Sequence, residues 1–199
     1  MLLQFMQQHS FIVLTGATSE GSPVATQLPV LISRNDASII LEGHMMRNTD
    51  HHKAFMQNQQ VLALFTGPHA YVSASWYSDK RQASTWNYMT VHAHGKIVFT
   101  EDRHHLIDIL DRTTALFEND PESEASYKKL PDEYINQLLP AIVSFKIQVL
   151  KLEHVFKLSQ NRDEESHRNI IGQLNRRDKM SQLVAEQMQQ HSKYLTNNK

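Results

Sequence analysis

The sequence predicts a mainly β protein with helices at its periphery, most simply a closed barrel. Three features carry this expectation. Residues 61–67 (VLALFTG) and 142–149 (IVSFKIQV) are near-continuous apolar runs, the pattern of strands buried on both sides. Residues 11–18 (FIVLTGAT) and 24–32 (VATQLPVLI) are rich in β-branched residues and flank the turn-forming SEGSP, which reads as a hairpin. Residues 84–97 (STWNYMTVHAHGKI) alternate: Met89, Val91, Ala93 and Ile97 fall on one side, and Trp86, Tyr88, Thr90, His92, His94 and Lys96 on the other.

Taken in order, the hairpin comes first. Pro29 lies inside its second run and places that strand at an edge or a bulge, because proline has no N–H for a ladder. SIILEG follows as a further strand, then a short helix around 50–57 leads into VLALFTG. Thr100 is a candidate N-cap, with Glu101 and Asp102 in the first turn and Leu106, Ile107, Leu110, Thr113 and Phe117 at helical spacing. A short helix over Asp132 to Leu139 stops at Pro140, and a long strand spans 141–150.

Asn161 and Glu164 have capping-box spacing ahead of a helix whose apolar stripe is Ile170, Ile171 and Leu174. Beyond Asn175 the chain turns polar. Met180, Val184 and Met188 could line a docking face, and fraying is expected from Gln190. The count is six to eight strands. Residues 1–174 are expected to form the barrel domain and 175–199 a polar C-terminal helix or tail.

Composition excludes several classes. With 20 Lys plus Arg against 21 Asp plus Glu, the chain lacks the basic field of a non-specific nucleic-acid binder. The absence of cysteine excludes disulfides, thiolate metal sites and Cys nucleophiles, and fits a reducing, cytoplasmic compartment. Gln and His interrupt the N-terminal apolar run, which lacks a basic start, so a signal peptide is not expected. No stretch approaches the roughly 20 apolar residues of a membrane span.

Among chemical motifs, His92-x-His94 is the best metal pair of the 12 histidines, but no Asp or Glu accompanies it locally, and no metal site is expected. GxSxG, P-loop and GxGxxG signatures are absent. Three stretches are unusually polar and aromatic for barrel strands: residues 67–77 (GPHAYVSASWY), 84–97 and 157–162 (KLSQNR). Trp76 could simply pack and Asn161 could simply cap its helix. Together the stretches suggest a shared cavity.

These segments, with VATQLPVL at 24–31 and GHMMR at 43–47, resemble in order the PaiB-type family, described as FMN-binding negative transcriptional regulators. The likeness extends to about Leu174. It implies a six-stranded FMN-binding split barrel, of the flavin-reductase or pyridoxamine-phosphate-oxidase kind, that forms a homodimer with FMN at the subunit interface. By the same resemblance, Ala25, Thr26 and Gln27 would face the flavin ring. Arg47 would hold the phosphate with His44 beside it, and Trp86, Asn87 and Tyr88 would supply walls and polar contacts. Lys157, Ser159, Gln160 and Asn161 would close the site.

The sequence departs from that family's pattern twice. Members usually begin with a further segment containing Tyr-x-Pro, whereas this chain starts almost at the first strand. After the Arg they commonly read Ala-Asn-Pro-x-Trp, whereas here Asn48, Thr49, Asp50, His51 and His52 follow. Three functions are compatible with the residues: a flavin-binding regulator without turnover, an FMN-dependent oxidoreductase using His44, His69 or Tyr88 as proton donor, and a dimeric module that has lost its flavin. Direct DNA binding is expected to be weak.

Overall fold

A computed structural model of the chain describes residues 1–35, 38–120 and 123–195. It opens with helix α1 (Leu2–Gln8), whose Phe5 and Met6 are buried. The predicted hairpin follows as β1 (Phe11–Ala17) and β2 (Pro23–Pro29), paired antiparallel from Phe11↔Pro29 to Ala17↔Pro23. Residues 24–32 do not form one strand. The Val30 N–H continues the pairing to the Ser10 carbonyl at 2.9 Å, and the run is interrupted there, just after Pro29, into β2 and β3 (Leu31–Asn35).

The other strands are β4 (Ser38–Met46), β5 (Gln60–Val72), β6 (Thr85–Thr100) and β7 (Ile142–Lys157). All seven form one sheet in the order β2-β1-β5-β6-β7-β4-β3. This is one strand more than the resemblance implies, and the break at Val30 supplies it. The strands at the two margins are thus consecutive in sequence with a single residue between them, which draws the sheet round on itself as in a barrel.

Helix α2 (Asp50–Gln57) lies where expected, capped by Thr49. Helix α3 (Arg103–Glu118) is capped by Asp102, not Thr100, because the Asp102 carboxylate reaches the His104 N–H while the Thr100 hydroxyl accepts from Asp102 N–H. Its buried stripe is Leu106 and Ile109, and Phe117 is exposed. A short α4 (Asp132–Leu138) precedes β7. Helix α5 (Glu164–Leu174) is capped by Asp163, not Asn161, and the Ser166 N–H donates to the Asp163 carboxylate at 2.8 Å.

Helix α6 (Lys179–Leu195) is a docked element rather than a loose tail. Ser181, Val184, Ala185 and Met188 form its buried stripe, and Met180, expected on that face, is exposed. Residues 196–199 of the predicted tail lie outside the described residues. By internal contacts the chain falls into two compact units, Met1–Phe65 with Val91–Glu153, and Thr66–Thr90 with His154–Lys199.

Alternation along β6 is as the sequence reads: Asn87, Met89, Val91, Ala93, Gly95 and Ile97 are buried while their neighbours are not. In β5 the buried parity changes at Gly67 and Pro68, from Val61, Ala63 and Phe65 to Ala70 and Val72. A one-residue shift of this kind is what a bulge produces, and it turns His69 and Tyr71 outward.

Candidate functional site

In the first unit the chemistry gathers where β4 ends. The ladder with β7 runs to Met46↔Ile142. One step further, the Arg47 N–H donates to the Ala141 carbonyl at 2.8 Å and its Nε donates to the Ile142 carbonyl at 2.8 Å. The outer edge of the guanidinium then donates through Nη1 and Nη2 to the two Glu101 oxygens at 2.8 and 2.6 Å. The hydrogen bonds from Arg47 hold the Glu101 carboxyl below its ordinary range, and those to Glu101 raise the Arg47 guanidinium.

The turn after Arg47 is specified by the NTDHH stretch. Asn48 is left-handed, with φ 62°. Its N–H donates to His52 Nδ1 at 3.2 Å, which requires that nitrogen to be unprotonated. The Thr49 hydroxyl accepts from His52 N–H, and the His52 ring stands edge-on to Phe99 with centroids 4.9 Å apart. Burial pushes the His52 imidazole below its ordinary pKa, and Arg47, His51 and Lys53 add to this while Glu101 opposes it.

Beneath lies Gly43, where a Cβ would meet the Phe145 ring at 2.8 Å and the Pro29 carbonyl at 3.0 Å, so no larger residue fits without movement. His44 and Glu42 share the other face of β4. Burial lowers the His44 pKa. Burial alone would raise the Glu42 carboxyl, but hydrogen bonds from Lys146 and Arg112 outweigh it and the net shift is downward. On the edge strand β2, Ala25 and Gln27 are exposed, whereas Thr26 takes the opposite parity.

The second unit carries the aromatic group around Trp86. Trp86 is 52% exposed, with Tyr71 edge-on at 5.9 Å and His69 at 6.1 Å between ring centroids. A shallow, largely apolar cavity of about 370 Å³ opens between His69, Trp86, Tyr88 and Thr90. Asn87 points the other way and is fully buried. Its oxygen accepts from Ser159 Oγ at 3.0 Å and its nitrogen donates to Met188 Sδ at 3.4 Å.

Lys157 donates to Thr85 Oγ1 at 2.5 Å, and Gln160 bridges the Leu158 N–H and the Phe156 carbonyl. Asn161 is exposed. Trp76 packs under the Arg177 guanidinium, 5.0 Å from its ring centroid, and Arg162 lies 4.2 Å over Tyr77. Of the residues named from sequence, the structure therefore groups Arg47 with His44 on one strand end, joins Asn87 to Ser159, and leaves Trp86 and Tyr88 on an open face.

Glu101 stands in the sequence only as a helix first-turn residue, because an ion pair across 54 residues has no local signature. The cluster of Ser78, Asp163 and Ser166 is likewise assembled across the sequence: the Ser166 hydroxyl and N–H and the Ser78 hydroxyl all donate to Asp163 and hold its pKa at about 2. The capping spacing Asp-x-x-Ser would have revealed the Asp163–Ser166 half. A carboxylate does approach the best metal pair, since His94 Nε2 lies 2.8 Å from Glu153. Among the described residues no three His, Asp or Glu side chains converge as metal ligands, and no helix is long and apolar enough to cross a membrane.

Comparison with known proteins adds four findings. Residues 1–151 match the family described as "Putative FMN-binding domain". The chain is 34% identical over 186 residues to "Protease synthase and sporulation protein PAI 2" of Bacillus subtilis, covering 93% of this chain and 88% of that protein. Its fold is similar to that of a conserved hypothetical protein from Mycobacterium tuberculosis, with TM-score 0.54 and 13% identity over 78% of this chain and 82% of the other. It is also similar to that of a FAD and heme binding protein from Mycobacterium smegmatis, with TM-score 0.50 and 14% identity over 78% of this chain and 69% of the other.

Proposed function

The chain belongs to the PaiB-type FMN-binding family, and from that membership we propose that it is a homodimeric flavin-binding regulator in which Arg47 receives the FMN phosphate. The observation that carries the reading is the Arg47 fork, fixed from behind by two carbonyls and already holding a pair of oxyanion oxygens. A phosphate accepts from guanidinium in the same two-pronged way, so the donor set fits the group. Ala25 and Gln27, exposed on β2, would face the ring. When bound, FMN supplies a redox-active isoalloxazine.

A regulatory role extends the family resemblance, and the relative from Bacillus subtilis bears the name "Protease synthase and sporulation protein PAI 2". In this reading the protein represses transcription through a partner, since its charges nearly balance and its sequence shows no basic stripe apart from Arg176, Arg177 and Lys179. Homodimer formation is supported by Trp86 and Tyr71, large and open to solvent in the single chain. A second reading, an FMN-dependent oxidoreductase, draws on His44, whose burial keeps the imidazole neutral with an N–H to donate.

The deciding experiment is the visible spectrum of freshly purified protein, followed by titration of Arg47→Ala with FMN and with riboflavin. Loss of the charge-assisted phosphate contact should weaken FMN by about ten- to a hundredfold and leave riboflavin nearly unchanged. No effect on either flavin would remove Arg47 from the site. A protein that binds neither flavin would be the dimeric module without cofactor, and oxidation of reduced nicotinamide with turnover would favour the enzyme.

A further inference from the structure

We propose that Glu101 is a tethered competitor for the anion site of Arg47: its carboxylate takes the two positions that phosphate oxygens would occupy, and a ligand enters only by displacing it. The inference rests on the reading that Arg47 receives the FMN phosphate.

Three observations carry it. First, the fork does not depend on Glu101 for its direction. The Arg47 backbone N–H is held by the Ala141 carbonyl and its Nε by the Ile142 carbonyl, both at 2.8 Å, so Nη1 and Nη2 stay aimed outward when the carboxylate leaves. Second, Glu101 is free to leave. Its side chain is 75% exposed, against 25% for Arg47, and it sits in the short link between β6 and α3. Besides the pair with Arg47, this link is held from Asp102 N–H to Thr100 Oγ1, from His104 N–H to Asp102, from Leu106 N–H to the Asp102 carbonyl and from Ser144 Oγ to the Thr100 carbonyl, and these bonds do not use the Glu101 carboxylate.

Third, the contact is two-pronged, with Nη1 and Nη2 each meeting a separate oxygen at 2.8 and 2.6 Å. That is the geometry in which guanidinium binds phosphate. An exposed ion pair adds little to folding, so stability alone gives weak reason for a carboxylate there.

The consequence is selectivity by charge. A side chain on a short tether acts at an effective concentration of order millimolar, so a free monocarboxylate gains nothing by exchanging with it. A phosphomonoester, with close to two negative charges and three acceptor oxygens, can win the exchange. Riboflavin, which has no oxyanion, neither displaces Glu101 nor feels it.

The test is a double-mutant cycle on the full chain, with Glu101→Gln, Arg47→Ala and the pair, titrated with FMN, riboflavin and inorganic phosphate. Glu101→Gln should tighten FMN by about fivefold, the most that an exposed pair of this kind usually holds back. Riboflavin should be unchanged, and the gain should vanish in the Arg47→Ala background. Glu101→Ala, which removes the carboxylate differently, should give the same gain, and thermal unfolding of both variants monitors the fold.

If Glu101→Gln leaves FMN unchanged or weakens it while Arg47→Ala weakens FMN, Glu101 is a structural ion pair and the competitor idea is wrong, although the phosphate reading stands. If Arg47→Ala leaves FMN untouched, the phosphate reading fails, and this inference fails with it. Weak binding of inorganic phosphate that improves in Glu101→Gln would support competition without any contribution from the ring.

Discussion

The side-chain nitrogen of Asn87 meets the Met188 sulfur at 3.4 Å across 101 residues of sequence, while Ser159 Oγ donates to the oxygen of the same amide at 3.0 Å. One fully buried amide thereby joins β6, the turn after β7 and α6. Asn87→Ala strands the Ser159 hydroxyl and opens a hole against Met188. The expected cost is about 2–3 kcal/mol in urea unfolding, with flavin affinity of the folded fraction kept. An unchanged midpoint with weakened flavin would instead make Asn87 a ligand contact.

Gly95 and Gly43 demand the absence of a side chain to different degrees. A Cβ on Gly95 would lie 2.5 Å from Ile147 Cγ2 and 2.7 Å from the Gln148 carbonyl oxygen, whereas Gly43 meets a ring edge at 2.8 Å and a carbonyl at 3.0 Å. Backbone yields less readily than a side chain. Gly95→Ala should therefore cost more than Gly43→Ala, at or above the upper end of the about 1–3 kcal/mol typical of overpacking. Equal, small shifts in melting temperature for the two would contradict this.

Stability should fall as the solution is acidified from about pH 6.5. Burial lowers the pKa of His9, His44, His52 and His167, so the unfolded chain takes up protons at these positions before the folded chain does. Between the unfolded and folded pKa, each contributes a slope of at most about 1.4 kcal/mol per pH unit. Their stabilisation is complete above the unfolded pKa and is lost as pH falls through the folded one. His52→Phe removes one titrating group and should flatten urea midpoints measured from pH 7 to 5. An unchanged slope with lower midpoints throughout would mean that His52 contributes through the hydrogen bond from Asn48 and not through its titration.

Exposed Trp86 gives a test of assembly. If a second copy covers it, Trp86→Glu should shift sedimentation from dimer toward monomer, with a loss of affinity of about thirtyfold or more, as for a central aromatic anchor. A wild-type protein that sediments as a monomer at micromolar concentration would rule out the homodimer.

Much of the fold is legible because its signals are local. Period-two alternation fixes which residues of β6 are inside, and helix α2 lies within the bounds that its sequence suggests. The same parity already puts Asn87 opposite Trp86 and Tyr88, so grouping all three around one ligand runs against the strand's own geometry. Both helix caps fall two residues beyond Thr100 and Asn161, at Asp102 and Asp163, because each of those carboxylates reaches an N–H in the first turn. The site is less legible. Arg47 stands out in the sequence only through the GHMMR segment, whereas Glu101, with which it pairs, comes from another strand end, and no periodicity links the two.

A sheet with two margins invites an unfolded neighbour to add a strand. Here both margins are poor templates. Strand β2 begins and ends with proline, at Pro23 and Pro29, and each removes a donor from the outer row. Strand β3 has only 5 residues, and its last three, Ser33, Arg34 and Asn35, are exposed and polar. The turn at Val30 thus cuts one long margin strand into two short, blunt ones. The residue at which the sheet comes round is also the one that keeps each margin short.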